Sequence, residues 1–227
     1  MKALFITGTD TGVGKTVVTG LLGRWLIQRG YNVVTQKWIQ TGKENDLLVH
    51  LRMMGKLEEL REYMELMSPC RFKFPSSPHL ASSIEGERVD WGRIMRAFTS
   101  LCEGFEIVLV EGVGGVLVPV GREILLIDMV KEAGLPVLIV ALNRLGAINH
   151  TLLTLEALKN RGIDVVGVIF NNILQDEDRT ILDDNPKIIS HIGRVPILGV
   201  LEYGEEDELW EGFLKIGEEI HRRWMNG

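Results

Sequence analysis

Residues 8 to 16 read GTDTGVGKT and follow the apolar run ALFIT. Glycines at 8, 12 and 14 would let backbone N–H groups converge at the start of a helix, where the helix dipole also favours an anion. Lys15 would add a point charge for the β and γ phosphates, and the Thr16 hydroxyl suits Mg²⁺. A glycine-rich turn with a chance Gly-Lys-Thr is the alternative, but a strand before and a helix after favour a nucleotide loop. The spelling is unusual. Four residues are expected between the first glycine and Gly-Lys-Thr, whereas five separate Gly8 from Gly14. The surplus residue is expected to reshape the loop.

Mg²⁺ takes hard oxygen ligands, so one or two carboxylates are expected beside Thr16. Glu111 closes the apolar strand EIVLV, and Gly112, Val113 and Gly114 follow in GVGG, where small residues permit close approach of a phosphate or substrate. Asp46, in KENDLL, is a second candidate, although a helix N-terminal residue is its simpler reading. Lys37 closes the run NVVTQK at the same sheet edge. A second cation there could stabilise charge on a transferring phosphoryl group; a solvated strand-end lysine is the alternative. Asn171 and Asn172 end another apolar run, and either amide could read a purine edge or cap a turn. Asn149, in GAINHT, lies near a helix start whose free N–H groups form a second possible anion site. His79 and His150 are read as structural or positioning residues rather than bases.

Such residues need a frame. Near-continuous apolar runs at 3–7, 32–37, 106–112, 136–142, 164–170 and 196–201 predict strands buried on both faces. Helix-period stretches at 15–29, 90–102, 124–133, 148–161, 177–191 and 207–224 alternate with them. This predicts an α/β fold, an open, mostly parallel, doubly wound sheet flanked by helices, of P-loop NTPase type. Right-handed crossovers then bring the strand C-termini to one edge. The chain is expected to form a single domain, 1–227, with an elaborated insert at about 43–89 that folds over the site. That insert reads as a charged helical segment at 44–66, then a loop at 72–83.

Composition narrows the class. The 227 residues carry a net charge of −6 without a dense basic stripe, so nucleic acid is not an expected partner. Two cysteines, Cys70 and Cys102, are too few for a disulfide framework and suit a reducing compartment. Without a signal-peptide pattern or a membrane-length apolar run, the expectation is a cytoplasmic protein with no membrane partner.

With these parts assembled, the sequence resembles the dethiobiotin synthetase family. The resemblance rests on GTDTGVGKT, QKWIQTG, SSPHLAS, VEGVGG, LGAINHT and PILGVL in family order. It implies a ligase that closes a ureido ring from 7,8-diaminononanoate, CO₂ or bicarbonate, and ATP with Mg²⁺. By the resemblance, Gly12, Val13, Gly14, Lys15, Thr16 and Val17 hold the ATP phosphates, and Thr16, Asp46 and Glu111 hold the metal. Lys37 aligns with the family's active-site lysine, and Lys15 joins it as catalytic. Thr11 and Thr41 stand among the substrate contacts. Asn171 aligns with an adenine-reading asparagine; Asn172, Glu202, Tyr203 and Gly204 neighbour it, and Gly112 to Gly114 also line the nucleotide. Asn149 aligns with a segment that takes the substrate's carboxylate tail across a homodimer interface. Gly12, Trp38 and Glu202 depart from the residues usual at their positions, which bears on substrate fit and nucleotide preference. A nucleotide-switch or regulatory P-loop protein of the same fold is the rival. Switch proteins carry a lysine near the start of the loop, where this chain has Thr9, Asp10 and Thr11; a regulatory descendant would lack Lys37 or Glu111, and both are present.

Overall fold

The computed structural model describes residues 2–174 and 176–225; the expected domain limits, 1 and 227, lie outside them. Six strands, β1 (Lys2–Gly8), β2 (Val33–Lys37), β5 (Ile107–Gly115), β6 (Val137–Leu142), β7 (Val165–Asn172) and β8 (Ile197–Glu202), form one sheet in the order β2-β5-β1-β6-β7-β8. Every neighbouring pair is parallel. β2 is buried along its whole length and β1 from Leu4 onward, because helices cover both faces of an all-parallel sheet. β1 is central, flanked by β5 and β6. The chain leaves it for α1 (Lys15–Gln28) and then β2, so the loop after β1 opens on the crevice where ligands of open α/β sheets bind.

The remaining helices among the described residues are α2 (Asp46–Met54), α3 (Met64–Met67), α4 (Pro78–Glu85), α5 (Trp91–Gly104), α6 (Leu126–Ala133), α7 (Ala147–Asn160), α8 (Arg179–Gly193) and α9 (Glu206–Met225). A two-stranded parallel ribbon, β3 (Gln40–Thr41) with β4 (Arg71–Phe72), ties the segment just before the insert to a point within it. None of the described helices is long and apolar enough to cross a membrane.

Three local expectations need correction. The helical segment at 44–66 is broken, because α2 stops at Gly55 in a left-handed conformation (φ 68°), and after it come turns, a 3₁₀ turn at Arg61–Tyr63 and the four-residue α3. The loop expected at 72–83 contains α4, which starts with Pro78 in its first turn, where the missing N–H costs nothing. The third concerns β5, which does not end at Glu111 but runs through GVGG to Gly115, pairing Gly8 with Gly115 past an irregularity after Ile6.

α2 is seated directly on α1. A Cβ added at Gly20 would lie 2.8 Å from Met53 Sδ and 3.0 Å from its Cβ, and one at Gly23 would lie 2.8 Å from Met54 Sδ. The two glycines let the insert's first helix lie flush against the helix that begins with the phosphate loop. Gly20→Val is expected to overpack this seam and destabilise the fold by about 2 kcal/mol. At this chain length that is a fall in Tm of roughly 4–8 °C, measurable by thermal unfolding; an unchanged Tm would show that the seam yields freely.

Candidate active site

β1 hands over to the phosphate loop at Gly8, which pairs with Val140, and Thr9 N–H donates to Val140 O at 3.0 Å. Four residues lie between Thr9 and Gly14. Gly8 is needed where it stands, since a Cβ there would lie 2.7 Å from Asp10 O and 2.9 Å from Lys15 Nζ. At the other end Gly14 caps α1 with φ 93°, and a Cβ would fall 2.0 Å from Asn171 Nδ2.

Around this loop a cavity of about 370 Å³ is lined by Thr11, Gly12, Gly14, Lys15, Thr16, Lys37, Thr41, Asp46, Glu111, Val113 and Gly114, with Gln40 and Glu44, which sequence reasoning had not singled out. Eleven expected site residues thus meet from the loop after β1 and from β2, β3, β5, α1 and α2. Lys37 is no solvated strand end, being only 3% exposed. Its ammonium lies 2.6 Å from Glu111 Oε1, 2.6 Å from Asp46 Oδ2 and 2.9 Å from Gly112 O. Thr16 Oγ1 donates to the same Glu111 oxygen at 3.1 Å. Asp46 is therefore both the first residue of α2 and a partner in the site. The cavity wall carries no histidine or cysteine among the described residues.

Burial and charge oppose each other here. Burial would push the Glu111 carboxyl up, yet the Lys37 charge and the His50 hydrogen bond outweigh it and hold the group well below the usual carboxylate range. For Lys37 burial would lower the ammonium, and the Glu111 and Asp46 charges prevail and raise it. Lys15 lacks such close partners. Burial lowers it to about 8, with Glu111 opposing and Lys37 assisting, and its Nζ rests on Asp10 O at 3.0 Å. Because Glu111 is held below its ordinary 4.5, its contribution to stability is present above that pH and lost as pH falls below it. The loss adds a slope of up to about 1.4 kcal/mol per pH unit, one proton's worth. Urea midpoints measured between pH 6 and pH 3 should therefore drop less steeply for Glu111→Gln than for the unaltered protein; parallel curves would contradict this.

Other expected residues fall elsewhere. Asn171 donates to Val13 O at 3.2 Å and so pins the loop to β7. Asn172 donates to Glu202 Oε2 at 2.8 Å, and Glu202 also faces Arg179 at 3.5 Å. Tyr203 is exposed beside them, and Gly204 follows. Val13 and Val17 pack into or against the core. Asn149 is not at the cap of α7, which is Gly146; it is the third helical residue and is exposed. His79 bonds Ser77 and lines a separate cavity of about 870 Å³ with Trp91 and Arg122. Trp38 is fully buried against Phe5 and Trp91, so this departure alters the core beneath Lys37, not the cavity wall.

Besides Gln40 and Glu44, a residue behind the cavity wall was missed, His50. Fully buried, it places Nε2 2.5 Å from Glu111 Oε2. The one signal for it in the sequence is its place four residues after Asp46, on the same helix face.

A parallel sheet whose first strand feeds a glycine-rich loop into a helix, with a buried carboxylate one strand away, defines a P-loop nucleotide-dependent protein. A family model described as an AAA domain matches residues 2–207. The ATP-dependent dethiobiotin synthetase of Thermodesulfovibrio yellowstonii is 42% identical, with 95% of this chain and 96% of that protein covered. The proteins of the same description from Chlorobaculum tepidum and Methanocaldococcus jannaschii are 43% identical over 78% of this chain and 76% of theirs, and 36% identical over 91% and 96%. The chain belongs to the ATP-dependent dethiobiotin synthetase family. Among solved structures, pNOB8 ParA bound to nonspecific DNA gives a TM-score of 0.61 at 15% identity over 99% of both chains. The MinC:MinD cell division complex of Aquifex aeolicus gives 0.58 at 17%, covering 100% of this chain and 97% of that one. These likenesses concern the fold.

Proposed function

We propose that this chain, folded as one domain in the cytoplasm, closes the ureido ring of dethiobiotin from 7,8-diaminononanoate, CO₂ and ATP. One amine adds to CO₂ and loses a proton to give a carbamate. The carbamate oxygen takes the γ-phosphoryl group of ATP, releasing ADP. The second amine then attacks the carbamoyl carbon, and phosphate leaves as the ring closes. The observation that carries this reading is the cavity's inventory: two buried lysines beside a phosphate loop, with no histidine or cysteine among the described residues of the wall. A carbamate is already a nucleophilic oxyanion, so the reaction needs cations and positioning rather than a strong base. Lys15 would hold the β and γ phosphates, and their charge would draw its lowered ammonium back toward full protonation. Lys37 would face the carbamate and the transferring phosphoryl, with Thr11 and Thr41 beside the diamine.

Lys37 Nζ lies 2.6 Å from an oxygen of each carboxylate, Asp46 and Glu111, and Thr16 Oγ1 lies 3.1 Å from the same Glu111 oxygen. This hard-oxygen set fits Mg²⁺, which keeps waters and phosphate oxygens rather than an all-protein cage. When bound, Mg²⁺ would neutralise charge on the phosphates. Asn171, Asn172 and residues 202–204 at the ends of β7 and β8 would flank the base. The exposed start of α7, with Leu145 72% and Leu153 53% exposed beside Asn149, supports a homodimer in which this segment meets the substrate tail.

Nucleotide hydrolysis measured with and without the diamine and bicarbonate tests the reading. ADP release should depend on both additions and match dethiobiotin formed. Turnover indifferent to them would instead indicate a nucleotide switch.

A further inference from the structure

α2 sends two side chains to the site from one face. Asp46 meets Lys37, and His50, one turn on, meets Glu111 without lining the cavity. The Glu111 carboxylate is thereby divided. Oε2 faces His50 Nε2 at 2.5 Å, whereas Oε1 faces Thr16 Oγ1 at 3.1 Å and Lys37 Nζ at 2.6 Å. Both His50 and Glu111 are 0% exposed. A carboxylate only accepts, so Nε2 carries the proton in this contact. Nδ1 is buried without a partner among the described residues. A buried ring with one nitrogen unsatisfied costs free energy, and an apolar side chain would fill the position without that cost. Among the described residues, the imidazole's one hydrogen-bond partner is Glu111.

We propose that His50 is a positioning residue of the metal site: its Nε2–H holds back one oxygen of Glu111 and presents the other, beside Thr16, to the cation that accompanies the nucleotide. The proposal rests on the reading of Thr16, Glu111 and Asp46 as metal oxygens. A free carboxylate can bind through one oxygen or two. The two-oxygen mode suits Ca²⁺, which tolerates irregular coordination, while Mg²⁺ requires near-octahedral geometry. Occupying Oε2 therefore biases the site toward Mg²⁺. It also orients the ligand, the service that hydrogen-bonding partners render to metal-bound carboxylates.

The test uses two variants of matched side-chain length, His50→Gln, which keeps a donor, and His50→Met, which does not. ADP affinity is measured by calorimetry without metal, with Mg²⁺ and with Ca²⁺. His50→Met is expected to reduce the enhancement of affinity by Mg²⁺ about 10-fold, to reduce that by Ca²⁺ less, and to leave metal-free binding within about twofold. His50→Gln should restore most of the Mg²⁺ effect. An unchanged Mg²⁺ enhancement in His50→Met, or an equal loss with and without metal, overturns the proposal. Should His50→Met fail to fold, the unaltered protein labelled with ¹⁵N-histidine decides: the His50 Nε2–H resonance should persist and shift when Mg²⁺ joins the ADP complex, and an unmoved or lost resonance overturns the proposal. Failure of the ligase reading is distinguishable, because it would appear as turnover independent of diamine and bicarbonate while these binding measurements stood.

Discussion

Lys37→Met should lower turnover about a thousandfold while leaving ADP binding nearly intact. Removing one preorganised donor from a developing negative charge typically costs two to three powers of ten. Lys37 is an ammonium on a buried strand end, not a long arm reaching through water, so no neighbouring cation replaces it. Lys15 is committed to the loop, where its Nζ rests on the Asp10 carbonyl. The substitution also leaves Glu111 and Asp46 facing each other without the charge that lies 2.6 Å from each. Breaking a buried ion pair by removing one partner costs about 3–5 kcal/mol. Without metal the variant should therefore melt well below the unaltered protein. Mg²⁺ should recover part of the loss, since a divalent cation can take the place of the missing charge. Thermal unfolding with and without Mg²⁺ measures this. If metal raised the Tm of variant and unaltered protein equally, the two carboxylates would not share a cation site.

The second large effect is expected at Gly14. Alanine there meets two obstacles at once, a left-handed backbone at φ 93° and Asn171 Nδ2 at 2.0 Å from the new methyl. Strain of this kind costs about 1–3 kcal/mol, and the contact forces either the amide or the loop to move. Asn171 is held by its bond to Val13 O and sits at the end of a buried strand, so the loop gives way. Its N–H groups would then no longer converge on one phosphate. Gly14→Ala should weaken ATP binding at least 100-fold while the fold survives with a Tm lower by several degrees. Nucleotide titration and a melting curve separate the two. Binding within threefold of the unaltered protein would mean that Asn171 moves aside instead, and Gly14→Ala with Asn171→Ala would then restore little.

What the chain disclosed in advance followed from how local each signal was. Continuous apolar runs were enough for the six strands, because a sheet covered on both faces leaves no alternation to misread. Lys37 and Glu111 were legible as polar residues closing such runs. The β5 extension was hidden by composition: glycines are weak strand formers, and past Glu111 the ladder with β1 resumes only where Gly115 meets Gly8. Proline and serine likewise disguised α4, although a proline in the first turn is at home there. His50 could not be found by pattern at all. Its meaning comes from Glu111, 61 positions away, and from a helix packing that no local period encodes. Asn149 was legible as a residue near a helix start, and it stands in the first turn of α7, behind the cap that Gly146 supplies.

The flush seam between α1 and α2 divides the insert into two parts that evolution or an engineer would meet very differently. Up to Met54 the spacing is fixed, because Asp46 and His50 must stay in phase with the loop helix beneath them. Beyond Gly55 the chain returns through short turns to β4, which pairs with β3, and nothing on that return path lines the phosphate cavity. Extra residues accommodated around Lys56 to Glu59, where the surface is mostly exposed, would lengthen the excursion without shifting the carboxylate and imidazole that α2 delivers. A peptide tag or a reporter dye could be carried there on a working enzyme, and relatives could differ in length there without loss of chemistry.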